Sequence, residues 1–123
     1  MSQNYQILIV DDSRVARMMA RASIEKAAPG ATIIEADSGD DALGKLEGID
    51  ITAGIVDLNM PGMNGLELAL ELRRRFADIP LALCTANIQE ATKQRAKEQN
   101  ILFIAKPVSP EKIAAFLQES IEA

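Results

Sequence analysis

Four short stretches of the chain carry side chains suited to polar chemistry, and each lies where an apolar run ends. Asp11-Asp12 follows Ile7-Leu8-Ile9-Val10, Asp57 follows Ile55-Val56, Thr85 follows Leu83-Cys84, and Lys106-Pro107 follows Ile104-Ala105. Singly, each has an ordinary structural reading: Asp12 can cap a helix, Asp57 can begin a turn, Thr85 can close a strand and Lys106 can sit in solvent. Gathered at one place, they need a reason to coexist. Two carboxylates ~5 Å apart repel by roughly 3 kcal/mol at an effective dielectric of about 20, and three carboxylates make three such pairs. Either protons are taken up, raising the carboxylate pKa values, or a cation binds. The chain has no histidine and one cysteine, which excludes a Ser-His-Asp triad, a Cys-His pair and a His/Cys zinc cluster. Any metal must then be held by oxygen. Mg2+ suits such a set, because it uses one or two carboxylates, keeps waters and shares its other positions with phosphate oxygens. The chemistry indicated is phosphoryl transfer. Asp57, the only acid in its loop, is the candidate nucleophile.

Composition narrows the setting. A chain of 123 residues that is 48% apolar can build one core, and without a Pro/Gly/Ser linker or a composition shift it reads as a single domain, 1–123. Eighteen acidic against 13 basic side chains, with aromatics at 3%, suit neither capture of a phosphate backbone nor base stacking, so nucleic acid is not expected as a direct partner. The lone Cys84 forms no internal disulfide. Met1 to Gln6 carries no basic leader, and no apolar run approaches the ~20 residues needed to cross a bilayer. The expected compartment is the cytoplasm, with no membrane partner.

The elements that must position these residues follow from the hydrophobic pattern. Gln6 to Val10 reads as a strand covered on both faces. A helix follows from Ser13, with Val15, Met18, Met19 and Ala22 on one stripe and Arg14, Arg17 and Arg21 on another, closed by Pro29-Gly30. The alternation continues: strand 32–36, helix 39–46 behind a Ser38 cap, strand 51–56, helix 65–76, strand 81–84, helix 88–99, strand 101–105 and helix 110–121. Asn64 with Glu67, and Asn87 with Glu90, have capping-box spacing, and Ser109-Pro110 pairs a cap with proline at the first helical position. Five βα units predict an α/β fold: a doubly wound, five-stranded parallel sheet with right-handed crossovers and helices on both faces. For the flavodoxin-like (βα)5 order 2-1-3-4-5, ligands collect at the carboxyl ends of strands one and three. The acids lie there.

With these residues in place, the chain resembles a response-regulator receiver domain of the two-component, chemotaxis-regulator-like single-domain type. The resemblance is carried by Asp11-Asp12 after an apolar strand, by Asp57-Leu58-Asn59-Met60-Pro61-Gly62-Met63-Asn64-Gly65, by Thr85-Ala86 and by Lys106-Pro107. It implies that Asp57 accepts a phosphoryl group from a sensor histidine kinase or His-phosphotransfer protein. It further implies that Mg2+ is held by Asp12, Asp57 and the backbone carbonyl of Asn59, with Asp11 acting through water. Lys106 and Thr85 would meet the phosphoryl oxygens, and Lys106-Pro107 is a candidate cis peptide. Phe103 would turn inward as Thr85 moves, although on composition alone it reads equally as strand packing. The surface formed by helix 88–99, strand 101–105 and helix 110–121 would carry the signal, and since the helix from Ile88 has a thin apolar stripe (Ile88, Ala91 and Ala96), it should be weakly anchored.

Since the chain has no histidine, its phosphoryl donor must be another molecule. With the whole length used by the receiver, no output domain is expected, and the output is a downstream protein bound by a monomer or a weak, phosphorylation-dependent dimer. Phe103 lacks the tyrosine hydroxyl of motor-binding regulators, which argues against a flagellar-motor target. An enzymatic role is not expected beyond the chain's own phosphorylation and dephosphorylation. The alternative is a Mg2+-dependent aspartate-nucleophile phosphatase of haloacid dehalogenase type, but such enzymes place an acid two residues past the nucleophile, where this chain has Asn59. A flavin carrier conflicts with the acids of Asp11-Asp12-Ser13-Arg14, where a phosphate cradle needs backbone donors.

Overall fold

The computed structural model describes residues 5–121; of the stretch Met1–Gln6 read above, the first four residues lie outside them. Strands and helices alternate: β1 (Gln6–Val10), α1 (Arg14–Ala27), β2 (Thr32–Ala36), α2 (Gly39–Lys45), β3 (Ala53–Asp57), α3 (Gly65–Arg75), β4 (Leu81–Thr85), α4 (Glu90–Glu98), β5 (Ile101–Ala105) and α5 (Pro110–Ile121). The strands form one parallel sheet in the order β2-β1-β3-β4-β5, the fold class and order read from the sequence. Every residue of β3 and β4 is buried, as expected for strands covered on both sides. The core divides at the sheet into two layers. Leu8, Val10, Val56, Leu81 and Leu83 meet Leu68 and Leu72 of α3 and Ala96 of α4. On the other face Ile7, Ile9, Ile55, Ala82 and Cys84 meet Ile24 of α1 and Ile113, Phe116 and Leu117 of α5.

Most helix starts follow their sequence signals. Ser13 and Ser38 accept hydrogen bonds from Ala16 N and Asp41 N at 3.1 and 3.0 Å. Asn64 and Glu67 form a complete capping box, both bonds at 2.9 Å, and Ser109 Oγ accepts from Lys112 N at 3.2 Å. The start of α4 is an exception. Asn87 does not cap it; the helix begins at Glu90 behind Gln89, with no side-chain cap bond. The cause is Thr85, whose hydroxyl donates to the Asn87 carbonyl at 3.2 Å and accepts the Asn87 N–H at 3.1 Å, folding the segment into a tight turn before any helix can form.

Two further expectations are corrected. β3 starts at Ala53 because Thr52 is closed onto Gln6 by its side chain as well as its backbone, and β3 and β4 each run one residue further, to Asp57 and Thr85. On α1, the stripe of Val15, Met18, Met19 and Ala22 does not form the packed face: Val15, Met18 and Met19 are 65, 60 and 49% exposed, and the helix packs through Ala20, Ser23 and Ile24. Ile24, fully buried, is the large apolar side chain that α1 turns inward, while Val15, Met18 and Met19 lie on a face turned away from the sheet. α4 is thinly anchored as expected, with Ala96 its only buried residue.

Candidate functional site

The carboxyl ends of β1, β3 and β5 deliver four of the predicted residues to one place. One carboxylate oxygen from each of Asp11, Asp12 and Asp57 lies within 4.8 Å of the others. Lys106 Nζ bridges two of these acids, 3.0 Å from Asp57 Oδ1 and 3.1 Å from Asp11 Oδ2. Asp11 and Asp57 are each 6% exposed, whereas Asp12 is open to solvent. The Lys106–Pro107 peptide bond is cis.

Electrostatics at the cluster are unequal. Burial pushes the Asp57 carboxyl above the ordinary carboxylate range; Asp11 and Asp12 add to that push, and the hydrogen bond and charge of Lys106 only partly oppose it. Burial also works against the Lys106 ammonium, yet its bonds to Asp57 and Asp11 and their charges outweigh that effect and hold its pKa above the ordinary value. One ammonium facing three acids leaves the cluster short of positive charge. An all-oxygen donor set with this deficit fits a hard divalent cation such as Mg2+.

Asp57 is held from behind by a backbone that tolerates no side chain at Gly65. A Cβ there would collide with the Asp57 carbonyl oxygen and Leu58 Cα, and the Gly65 N–H donates to the Leu58 carbonyl at 2.9 Å. The loop between them turns at Gly62, whose φ of +75° favours glycine.

Thr85 and Phe103 do not join the cluster. Thr85 is 1% exposed with its hydroxyl turned to Asn87, and the side-chain amide of Asn59 donates to that hydroxyl at 3.5 Å. Phe103, in register with Leu83, is half-buried against the core layer beneath α4. Cys84 lies under Asp57 in β4, and burial pushes its thiol up to about 12.

Sequence reasoning missed two charged residues beside the acids. Arg17 Nη1 donates to the Asp11 carbonyl at 2.6 Å, and its Nε donates to Glu35 Oε1 at 3.2 Å. The available signal was Glu35 itself, an acid between the apolar Ile34 and Ala36 near the end of β2. A cavity of ≈ 340 Å³ opens between Asp57, Lys106 and Pro107 and the α1 side chains Ala16, Met19 and Ala20.

Residues 7–118 match the family described as response regulator receiver domain. The chain is 38% identical over 112 residues to the cyclic di-GMP phosphodiesterase response regulator RpfG of Xanthomonas campestris pv. campestris, covering 89% of this chain and 30% of that protein. It is 31% identical to the sensor histidine kinase CheAY of Helicobacter pylori, covering 97% of this chain and 15% of that protein. The chain thus spans less than a third of the length of either relative. Among solved structures, the chemotaxis protein CheY4 of Vibrio cholerae superposes with a TM-score of 0.83 at 28% identity, covering 96% of this chain and 99% of that one. No helix among the described residues is long and apolar enough to cross a membrane. Neither the topology nor these likenesses support a haloacid dehalogenase-type phosphatase, and the chain belongs to the response-regulator receiver domains, the phospho-accepting modules of two-component signalling.

Proposed function

We propose that Asp57 is the phosphoryl acceptor of this receiver, and that Asp12, Asp57 and the Asn59 carbonyl hold Mg2+ with Asp11 assisting through water. The observation that carries this reading is the ammonium of Lys106, 3.0 Å from Asp57 and 3.1 Å from Asp11 beside a third carboxylate. Bound Mg2+ would supply charge neutralisation for the transferring group and its approach to Asp57. Asp57, buried and backed by Gly65, presents a fixed carboxylate oxygen to phosphorus. The new bond is O–P; the bond broken is P–N of a donor phosphohistidine, whose electron pair returns to the imidazole. Lys106 neutralises charge on the phosphoryl oxygens and keeps its proton throughout.

Thr85 relays the event. Its single hydroxyl proton serves one acceptor at a time, and in this structure that acceptor is the Asn87 carbonyl. When an acyl phosphate on Asp57 offers a better acceptor, the hydroxyl leaves Asn87 and the turn into α4 is released. Phe103 lies in the layer beneath α4, positioned to follow, so the α4-β5-α5 surface reports the phosphorylated state to a downstream protein. The donor is a sensor histidine kinase or a His-phosphotransfer protein, and the exposed Val15, Met18 and Met19 beside the cavity give it an apolar rim on which to dock. The chain acts in the cytoplasm as a monomer or weak dimer, with no enzymatic role beyond its own phosphorylation and dephosphorylation.

The test is intact-mass analysis after incubation with Mg2+ and acetyl phosphate. Wild type should gain one phosphoryl group, and Asp57→Asn or a sample in excess EDTA should gain none. An equal adduct in Asp57→Asn would remove Asp57 from its assigned role.

A further inference from the structure

Asp11 is fixed at three of its four polar groups by bonds that do not involve Arg17. Its N–H donates to the Ala36 carbonyl at 3.1 Å, one side-chain oxygen accepts from Ser13 N at 2.9 Å, and the other from Lys106 at 3.1 Å. The remaining group is the carbonyl, which belongs to the peptide plane joining Asp11 to Asp12. Asp12 is the exposed acid of the cluster, so its placement depends on that plane more than on packing. Arg17 Nη1 takes the carbonyl at 2.6 Å.

Arg17 is itself oriented from the sheet. Its Nε rests on Glu35 Oε1 at 3.2 Å, and the second Glu35 oxygen accepts from Arg21 Nε at 2.7 Å. Glu35 lies on β2 in register with Ile9 of β1, so the anchor is a strand rather than a loop. A guanidinium is planar, and pinning Nε fixes the direction in which Nη1 points. The carboxylate of Glu35 also balances a positive charge that would otherwise repel a divalent ion bound next to Asp11.

We propose that Arg17, held by Glu35, is a positioning residue for divalent-cation binding: it orients the Asp11–Asp12 peptide so that Asp12 faces the other two acids. This inference rests on the reading of Asp12 as a Mg2+ ligand. The competing role is a surface ion pair that ties α1 to β2 and does nothing for the cation.

Calorimetric titration of the full chain with Mg2+ separates the two, with thermal melting in EDTA reporting the fold. Arg17→Met and Glu35→Gln should each weaken Mg2+ binding about tenfold, the scale of losing a group that orients a metal ligand, in protein that still melts cooperatively. Arg17→Lys keeps the charge but loses the planar fork, and should fail to restore wild-type affinity. Glu35→Gln is isosteric and near the surface, which keeps the test open if Arg17→Met folds poorly. Weak binding in Asp12→Asn alone, with wild-type affinity in Arg17→Met and Glu35→Gln, would overturn the positioning role and leave the Mg2+ reading intact. Wild-type affinity in Arg17→Lys would also overturn it, in favour of charge alone. Unchanged affinity in Asp12→Asn would overturn the underlying reading and this inference with it.

Discussion

Asp57 is destabilising in the ligand-free protein because the fold buries its carboxyl beside two other acids. Its folded pKa lies above the ordinary carboxylate value, with burial as the chief cause and Asp11 and Asp12 adding to it. The folded state therefore binds a proton more readily than the unfolded one, so the ionised group subtracts stability in full above the folded pKa and nothing below the unfolded value of about 3.9. Asp57→Asn should accordingly raise the melting temperature measured in EDTA at pH 7. The gain should shrink as the pH is lowered toward 4; a variant that melts below wild type at pH 7 would contradict the electrostatic account. Lys106 has the opposite sign: its raised pKa adds stability that is present at neutral pH and lost only in the alkaline range beyond about pH 10. Cys84 gives a second residue-scale test. With its thiol pushed up to about 12 and 3% exposed, only roughly one molecule in ten thousand carries the thiolate at pH 8. Iodoacetamide should leave the native protein unlabelled while modifying it fully in urea. The acids and Lys106 were legible in the sequence because each closes an apolar run. The roles of Arg17, Glu35 and Gly65 were not, because they depend on how β2 lies against β1 and how α3 approaches the end of β3.

Among the elements, the two asparagine signals show where local pattern suffices and where a competing bond overrides it. Asn64 and Glu67 close a reciprocal capping box on α3. Asn87 and Glu90 share that spacing, yet the backbone of Asn87 is already engaged by Thr85. Asn64→Ala should then cost about 1 kcal/mol of stability, while Asn87→Ala should stay within about 0.5 kcal/mol of wild type. Urea denaturation of both variants compares them directly, and equal losses would mean that Asn87 does cap α4. The five strands and the order of elements were legible because buried parallel strands are short, continuous apolar runs between helical periods. The inward face of α1 was not, since Ala20, Ser23 and Ile24 make the contact while Val15, Met18 and Met19 stay outside. Val15, Met18 and Met19 recur at helical spacing as a core stripe would, so the pattern alone does not tell which face of α1 meets the sheet.

At the scale of the whole molecule, the two core layers differ in how firmly their outer elements are tied. α3 buries Leu66, Leu68, Ala69 and Leu72, whereas α4 buries Ala96 alone among its described residues. At ~25 cal/mol per Å² of apolar surface, such a difference is worth several kcal/mol, so α4 opens at far lower free energy than the central strands. The site borders this weak element through the Thr85 hydroxyl, which donates to the Asn87 carbonyl and accepts the Asn87 N–H. A molecule built this way can change at α4 without disturbing β1 and β3, which carry Asp11 and Asp57. Amide hydrogen exchange with and without Mg2+ and beryllium fluoride, a phosphoryl mimic, should therefore alter protection from Asn87 through Phe103. The amides of β1 and β3 should remain the slowest to exchange in both states. Thr85→Ala removes the hydroxyl and should uncouple the two regions, leaving α4 exchange fast and insensitive to the mimic even where the mimic still binds. Protection across Asn87 to Phe103 that is unchanged in wild type would mean that the signal leaves this receiver by another face.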